Sequence, residues 1–288
     1  MGIKSQILFL LSFVYSLLGY GQQTSFYISA HQDDWQLFMN PNVYKSIKNE
    51  DEKTVIIHLT AGDAGHGISN NDYYKAREEG SLRAIRFISN SFSSGIDKLE
   101  TWETVKINKK KILRYSYDGN IIYLLRLPDG NGTGEGYPIH NNKSLEKLYK
   151  KEVINLHSID STANYETKAD LIKTLSKLVL KESKNSKIQI NLANTNLADH
   201  PEDHSDHRTS SLFFQEVAKQ IGGLELREYL NYKTSTLPKN IIEEDFINNI
   251  GAWGATTSGI GESGHPSTWD TIHNEWLSRQ YYKSYFLP

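Results

Sequence analysis

Cysteine is absent from all 288 residues, so no disulfide framework holds the fold and no thiol offers a lipid attachment point. The core has to hold by burial alone, which a chain of this length can manage. An excess of one charge sign is missing too. The 32 Lys+Arg against 34 Asp+Glu leave a formal net charge of −2, so no broad basic field attracts nucleic acid or anionic lipid. No internal repeat or low-complexity tract is visible. The long apolar run, from Ile7 to Tyr20, falls short of the roughly 20 residues a spanning helix needs. Lys4 precedes it and small residues close it before Gln22. That pattern reads as a cleavable signal peptide over residues 1–21 and a secreted or periplasmic mature protein without a stable membrane anchor. Residues 22–288 read as one domain.

Apolar, β-prone runs at Ser25 to Ala30, Thr54 to Thr60, Ile121 to Leu127 and Ile188 to Leu192 predict strands. Helical spacing marks Trp35 to Ile47, Tyr73 to Phe87, Lys168 to Lys181 and Ser210 to Ile221. This alternation predicts an α/β fold with a mostly parallel sheet, whose sites form where strand carboxyl ends open into loops. From about residue 225 onward, and most clearly at Gly251 to Trp269, Gly, Ser, Thr and Trp accumulate. That composition predicts a loop-rich segment, either a flap over the site or an inert surface.

Two clusters bring imidazole and carboxylate together: Ala30-His31-Gln32-Asp33-Asp34 at the end of the first strand, and Asp203-His204-Ser205-Asp206-His207 before a helix. Both groups are ordinary zinc ligands, and a catalytic zinc takes three protein ligands while leaving a position for water. Two ligands from one loop and one from the other meet that count. Asp206 lies close enough to orient an imidazole through its second nitrogen. The same donors accept Fe(II).

Several motifs in fixed order, AHQDD at 30–34, TAGDAG at 60–65, YYKAREEGSLRA at 73–84, LRLPDGNG at 125–132 and DHSDHRT at 203–209, resemble the PIG-L, or LmbE-like, N-acetylglucosaminyl de-N-acetylases. The resemblance spans roughly residues 25 to 220. It departs from the family at Gln32, where Pro is usual, a change expected to affect loop stiffness more than chemistry. It implies a Rossmann-like sandwich with the metal site at the strand carboxyl ends, and one zinc on His31, Asp34 and His207. It further implies Asp33 as general base and His204 facing an N-acetylated amino sugar or glycoconjugate. In that chemistry the metal activates water and polarises the amide carbonyl, Asp33 takes the proton, and a protonated His204 shares the oxyanion. Asp33 or His204 then returns a proton to the departing amine.

Other residues carry two readings each. Arg77 follows the second strand's loop and either contacts the sugar or pairs with nearby Glu on a helix surface. Asp63 either orients a hydroxyl or shapes a turn, and Arg126 with Asp129 forms either a rim or part of a good Pro-Asp-Gly turn. His58 reads as buried and structural, whereas His66, His140, His200 and His265 read as loop residues, His200 being the one near the second cluster. Trp253, Trp269 and Trp276 either stack on sugar rings or pack in the core. Two other functions compete with deacetylation: a non-catalytic carbohydrate-binding protein, and a hydrolase of another bond such as a phosphoester, which commonly takes two metals.

Overall fold

The computed structural model of this chain describes residues 22–68, 72–92, 98–198 and 201–288. The expected signal peptide and His200 lie outside the described residues. The strands are β1 (Gln23–Ser29), β2 (Glu52–Thr60), β3 (Glu100–Ile107), β4 (Lys110–Tyr117), β5 (Asn120–Leu127), β6 (Leu156–His157), β7 (Asn164–Tyr165), β8 (Lys187–Ala193), β9 (Leu224–Tyr229) and β10 (Tyr282–Leu287). The principal helices are α1 (Asn42–Lys48), α2 (Tyr73–Asn90), α3 (Leu145–Lys150), α4 (Lys168–Ser183), α5 (Ser205–Ile221), α6 (Glu243–Glu262) and α7 (Thr271–Trp276).

Eight strands form one sheet in the order β10-β9-β8-β1-β2-β5-β4-β3. Its centre, from β9 to β5, is parallel, and antiparallel strands close both edges. The central strands read as nearly unbroken apolar runs because both faces are covered. Phe26 and Ile28 pack with Val55, Ile57 and Leu59 against Leu171 and Leu175 of α4 and Phe213 and Phe214 of α5. Tyr27 and Ile56 turn the other way, toward Leu82, Ile85 and Ile88 of α2. This α/β sandwich is the expected Rossmann-like class.

Two hairpins at one edge interrupt the alternation of strand and helix. Asn108-Lys109 joins β3 to β4 and Asp118-Gly119 joins β4 to β5, and all four residues have positive φ. Paired positive φ is the signature of two-residue turns whose twist matches that of the strands.

The expectation of a loop-rich segment from about residue 225 fails at α6, a 20-residue helix. Its small residues serve contact rather than flexibility. A Cβ built on Gly259 would lie 2.7 Å from the backbone of Gly80 in α2, and one on Gly80 would lie 2.6 Å from the Thr256 carbonyl oxygen. Glycine lets the two helices meet at backbone distance, and that burial outweighs glycine's low helix propensity. The helix is therefore packed against α2 and is not a flap. Beyond it, α7 and β10 complete the segment, with Trp253, Trp276 and Leu277 buried against Leu37 and Phe38.

Candidate metal centre and active site

Both clusters lie at the carboxyl ends of the parallel strands. His31 to Asp34 directly follow β1, and Asp203 to His207 connect β8 to the first turn of α5. One ligand atom from each of His31, Asp34 and His207 lies within 4.8 Å of the others. His207 Nε2 is 3.0 Å from Asp34 Oδ1, and His31 Nδ1 is 3.6 Å from the same oxygen. The backbone N–H of His31 donates to Asp34 Oδ2 at 2.8 Å, which fixes the carboxylate. All three side chains are buried.

Charge at this cluster is out of balance without a cation. Burial disfavours an imidazolium at His31, yet the Asp34 carboxylate and the approach of Asp206 outweigh it and push the imidazole up to about 9. His207 rises in the same way, burial again being overcome by Asp34 and Asp203. Asp34 moves well below the usual carboxylate range, against its burial, because His207 and His31 face it. The pocket thus draws positive charge onto the atoms that a metal would use, and metal binding there would release protons. His207 Nε2 is also buried and has no aligned hydrogen-bond partner. The donor set and this orphaned nitrogen fit a divalent ion held by His31, Asp34 and His207.

The outer carboxylates explain how the rings are oriented. His207 Nδ1 lies 2.7 Å from Asp203 Oδ1, so the ring donates there and turns Nε2 toward Asp34. Asp206 sits instead beside His31, with Oδ2 3.5 Å from Nε2, while accepting from the Gly130 N–H at 2.7 Å. Asp206 therefore faces the imidazole of His31, just after β1, rather than being held to an imidazole of its own cluster. Gly130 is required by space, since a Cβ there would fall 2.3 Å from Asp206 Oδ1. Metal-ligating imidazoles generally depend on such partners, and their loss costs roughly 10- to 100-fold in metal affinity. Asp203→Ala is expected to weaken retention of a divalent metal within that range in an equilibrium dialysis measurement, with the fold intact.

His204 is the N-cap of α5. Its Nδ1 accepts the Asp206 N–H at 3.1 Å, satisfying a donor that the helix start would otherwise leave unpaired. That bond places the proton on Nε2, 3.8 Å from Asp129 Oδ1. Burial, followed by the charge of His31, draws the imidazole down to about 4. In this arrangement His204 presents an Nε2–H toward Asp129. Asp129 also belongs to the site, with one oxygen accepting from the Ala64 N–H at 3.2 Å and the other from the Asn131 N–H at 2.9 Å.

Asp33 is bound by Arg77 of α2, and the other terminal nitrogen of Arg77 donates to the Gly62 carbonyl at 2.8 Å. Burial would raise the Asp33 carboxyl, but Arg77 holds it below its ordinary value. The structure gives Arg77 to Asp33 and Gly62, which corrects the reading of Arg77 as a surface helix residue and leaves its guanidinium largely spent. Gln32 ties this loop to the end of β2, its amide donating to the carbonyls of Thr60 at 3.2 Å and Ala61 at 3.0 Å.

The remaining candidates divide. Arg126 grips both oxygens of Glu78 at 2.7 Å and reaches Asp160 at 2.9 Å; with those partners it braces β5 against α2 and has little left for a substrate. Asp63 is fully buried, bonded to the Gly67 N–H at 2.8 Å and to His140 Nε2 at 2.7 Å, so it fixes a turn. His58 is buried between the His31 carbonyl and Ser81, the expected structural role. His66 and His265 both pack on Tyr73. Trp253 and Trp276 are core residues, whereas Trp269 is exposed.

By sequence, the chain matches no family model and no curated protein. By structure, it is similar to N,N'-diacetylchitobiose deacetylase from Pyrococcus horikoshii, with 14% identity and a TM-score of 0.46 over 92% of this chain and 81% of that one. It is likewise similar to a zinc-inhibited form of teicoplanin deacetylase Orf2, with 9% identity and a TM-score of 0.44 over 81% of this chain and 83% of the other. The chain resembles the PIG-L, or LmbE-like, de-N-acetylases. What carries that resemblance residue by residue is the ordered motif set, from which His31, Asp33, Asp34, Asp129, Gly130, Asp203, His204, Asp206 and His207 meet in this pocket.

Proposed function

We propose that this protein is a secreted, zinc-dependent hydrolase that removes the acetyl group from an N-acetylglucosamine-type sugar or glycoconjugate. The observation that carries the reading is the convergence of His31, Asp34 and His207 within 4.8 Å, beside a carboxylate, Asp33, that Arg77 keeps ionised. When bound, the metal would lower the pKa of water and polarise the amide carbonyl.

The chain's own groups do the rest. Asp33 is buried and charged, so it accepts the proton that an attacking water must lose. Once protonated, it carries that proton to the departing amine. His204 Nε2–H donates to the carbonyl oxygen as negative charge grows there, a type of contact worth on the order of 3 kcal/mol.

Proton placement bears on the phosphoester alternative. His31, Asp129, His204 and Asp206 form a second group of ligand-type atoms within 4.8 Å. His204 Nε2 carries its proton, as Nδ1 is occupied by the Asp206 N–H. His31, if it ligates through Nδ1, keeps its own proton on Nε2. Neither nitrogen then has a lone pair for a second ion, which favours one-metal chemistry. The retained Asp33 speaks against a binding-only protein, which has no use for a base.

The test is acetate release from N-acetylglucosamine and its short oligosaccharides by zinc-loaded protein. Release is expected, and chelation should reduce it to background, with zinc restoring it. Release that survives chelation would remove the metal from the reading, and none from any acetylated amino sugar would remove the deacetylase itself.

A further inference from the structure

The segment that joins β5 to α3 is fastened to the candidate site at both ends. Near its start the Gly130 N–H donates to Asp206 at 2.7 Å, and the Asn131 N–H donates to Asp129 at 2.9 Å. Near its end a short turn, Pro138–His140, carries the imidazole that binds Asp63 at 2.7 Å. Gly136 donates back to the Gly130 carbonyl at 2.9 Å and closes the loop. Tyr137 stands between these fastenings.

Its ring lies on Gly65, in the loop after β2: a Cβ built on Gly65 would fall 2.4 Å from Cδ1 of the ring and 2.7 Å from Cγ. Gly65 also has a φ of +76°, so glycine there serves both the turn and the close approach of the ring. Ala64, the residue before it, donates its N–H to Asp129 at 3.2 Å. The loop that seats the ring is thus the loop that holds Asp129. The phenol is half-buried, and burial, followed by the charges of Asp129, Asp63 and Asp206, raises it above its ordinary value. It therefore keeps its proton near neutral pH. Among the described residues its hydroxyl has no hydrogen-bond partner, although three carboxylates act on it.

A donor set beside an acceptor selects its ligand. Asp129 gives one lone pair of each oxygen to a backbone N–H and keeps others. A hydroxyl can accept from a phenol and donate to a carboxylate, whereas an ammonium group only donates and a carbonyl only accepts. We propose that Tyr137 is a substrate-binding residue whose O–H donates to a hydroxyl of the amino sugar on the Asp129 side of the site, an inference that rests on the de-N-acetylase reading of the metal centre. That hydroxyl takes no part in amide cleavage and is held alike before and during the reaction. Loss of the contact therefore raises KM and leaves kcat in place.

The test uses N-acetylglucosamine and the set of its analogues that lack one hydroxyl each. Binding is measured by calorimetry on zinc-loaded protein carrying Asp33→Asn, in which turnover is suppressed, and KM and kcat are measured with Asp33 intact. Tyr137→Phe removes one oxygen and keeps the ring on Gly65, so the melting temperature should hold. The variant is expected to bind N-acetylglucosamine roughly three- to tenfold more weakly, the loss of one neutral hydrogen bond. One deoxy analogue is expected to show a similar loss with Tyr137 present and no further loss with Tyr137→Phe, and that missing additivity names the hydroxyl. Unchanged binding by Tyr137→Phe, or losses that add for every analogue, would overturn the contact. Hydroxyl-dependent binding that Tyr137→Phe weakens, without hydrolysis of any compound, would support the contact and count against the deacetylase reading. Hydrolysis with binding unchanged in Tyr137→Phe would do the reverse, and no binding of any compound would overturn both.

Discussion

Exchange of Asp33 for Asn is expected to lower amide turnover by about a hundredfold to ten-thousandfold, the range for a positioned general base, while leaving bound zinc nearly unchanged. Asparagine keeps the shape and still accepts a hydrogen bond from Arg77, which alanine would leave buried without a partner. The loss should fall on kcat rather than KM, because the missing proton acceptor acts as the water attacks. Zinc content by elemental analysis and initial rates on the same preparation decide the matter. A variant that loses its metal would make Asp33 a ligand, and one that keeps both metal and rate would take the base away from this residue.

The second large effect concerns stability. Helix propensity alone predicts that Gly259→Ala in α6 stabilises the chain by roughly 1 kcal/mol. The backbone contact with Gly80, 2.7 Å from the added carbon, predicts the opposite sign. Overpacking typically costs about 1–3 kcal/mol, and here the obstructing atoms are backbone that no rotamer change can clear. Gly259→Val adds two further methyl groups, and a loss of about 3 kcal/mol or more is expected. That corresponds to a fall in Tm of roughly 6–12 °C for a domain of this size. Thermal denaturation of both variants checks the sign as well as the size. A rise in Tm for Gly259→Ala would mean that the helices are not in backbone contact.

Those two outcomes also mark where sequence reasoning succeeded and where it stopped. The four strands read from β-branched runs are all present and bring the two His-Asp clusters to the same end of the sheet. Asp203 was missed as a partner of His207, although the two are four residues apart across a helix start, a spacing that brings side chains together. Asp129 stayed open between a rim and a turn because Pro-Asp-Gly explains itself locally, while its use in the site, facing His204 and His31, depends on two distant segments. Asp118-Gly119 is a strong hairpin signal that went unread, and with it the antiparallel edge. The fate of Arg126 could not be read locally either, since Glu78 and Asp160 lie 48 and 34 residues away. In α6 the residue types were noticed and their meaning inverted: Gly, Ser and Thr mark loops when solvent surrounds them and tight helix contacts when another backbone does.

The contact between α2 and α6 also bears on how this protein tolerates change. Residues 251–262 look like a stretch that evolution or an engineer is free to vary, with no charged side chain before Glu262 and few large ones. Saturation mutagenesis should find the reverse at Gly259 and Gly251, where a Cβ meets Gly80 and the Phe87 ring respectively, and freedom at Gly261, where it meets nothing within 4 Å. Because α2 also carries Arg77, damage at this seam would reach Asp33, the proposed base, through its partner and without a substitution in the site. Variants isolated for lost activity would then map to a tail that bears no chemistry of its own.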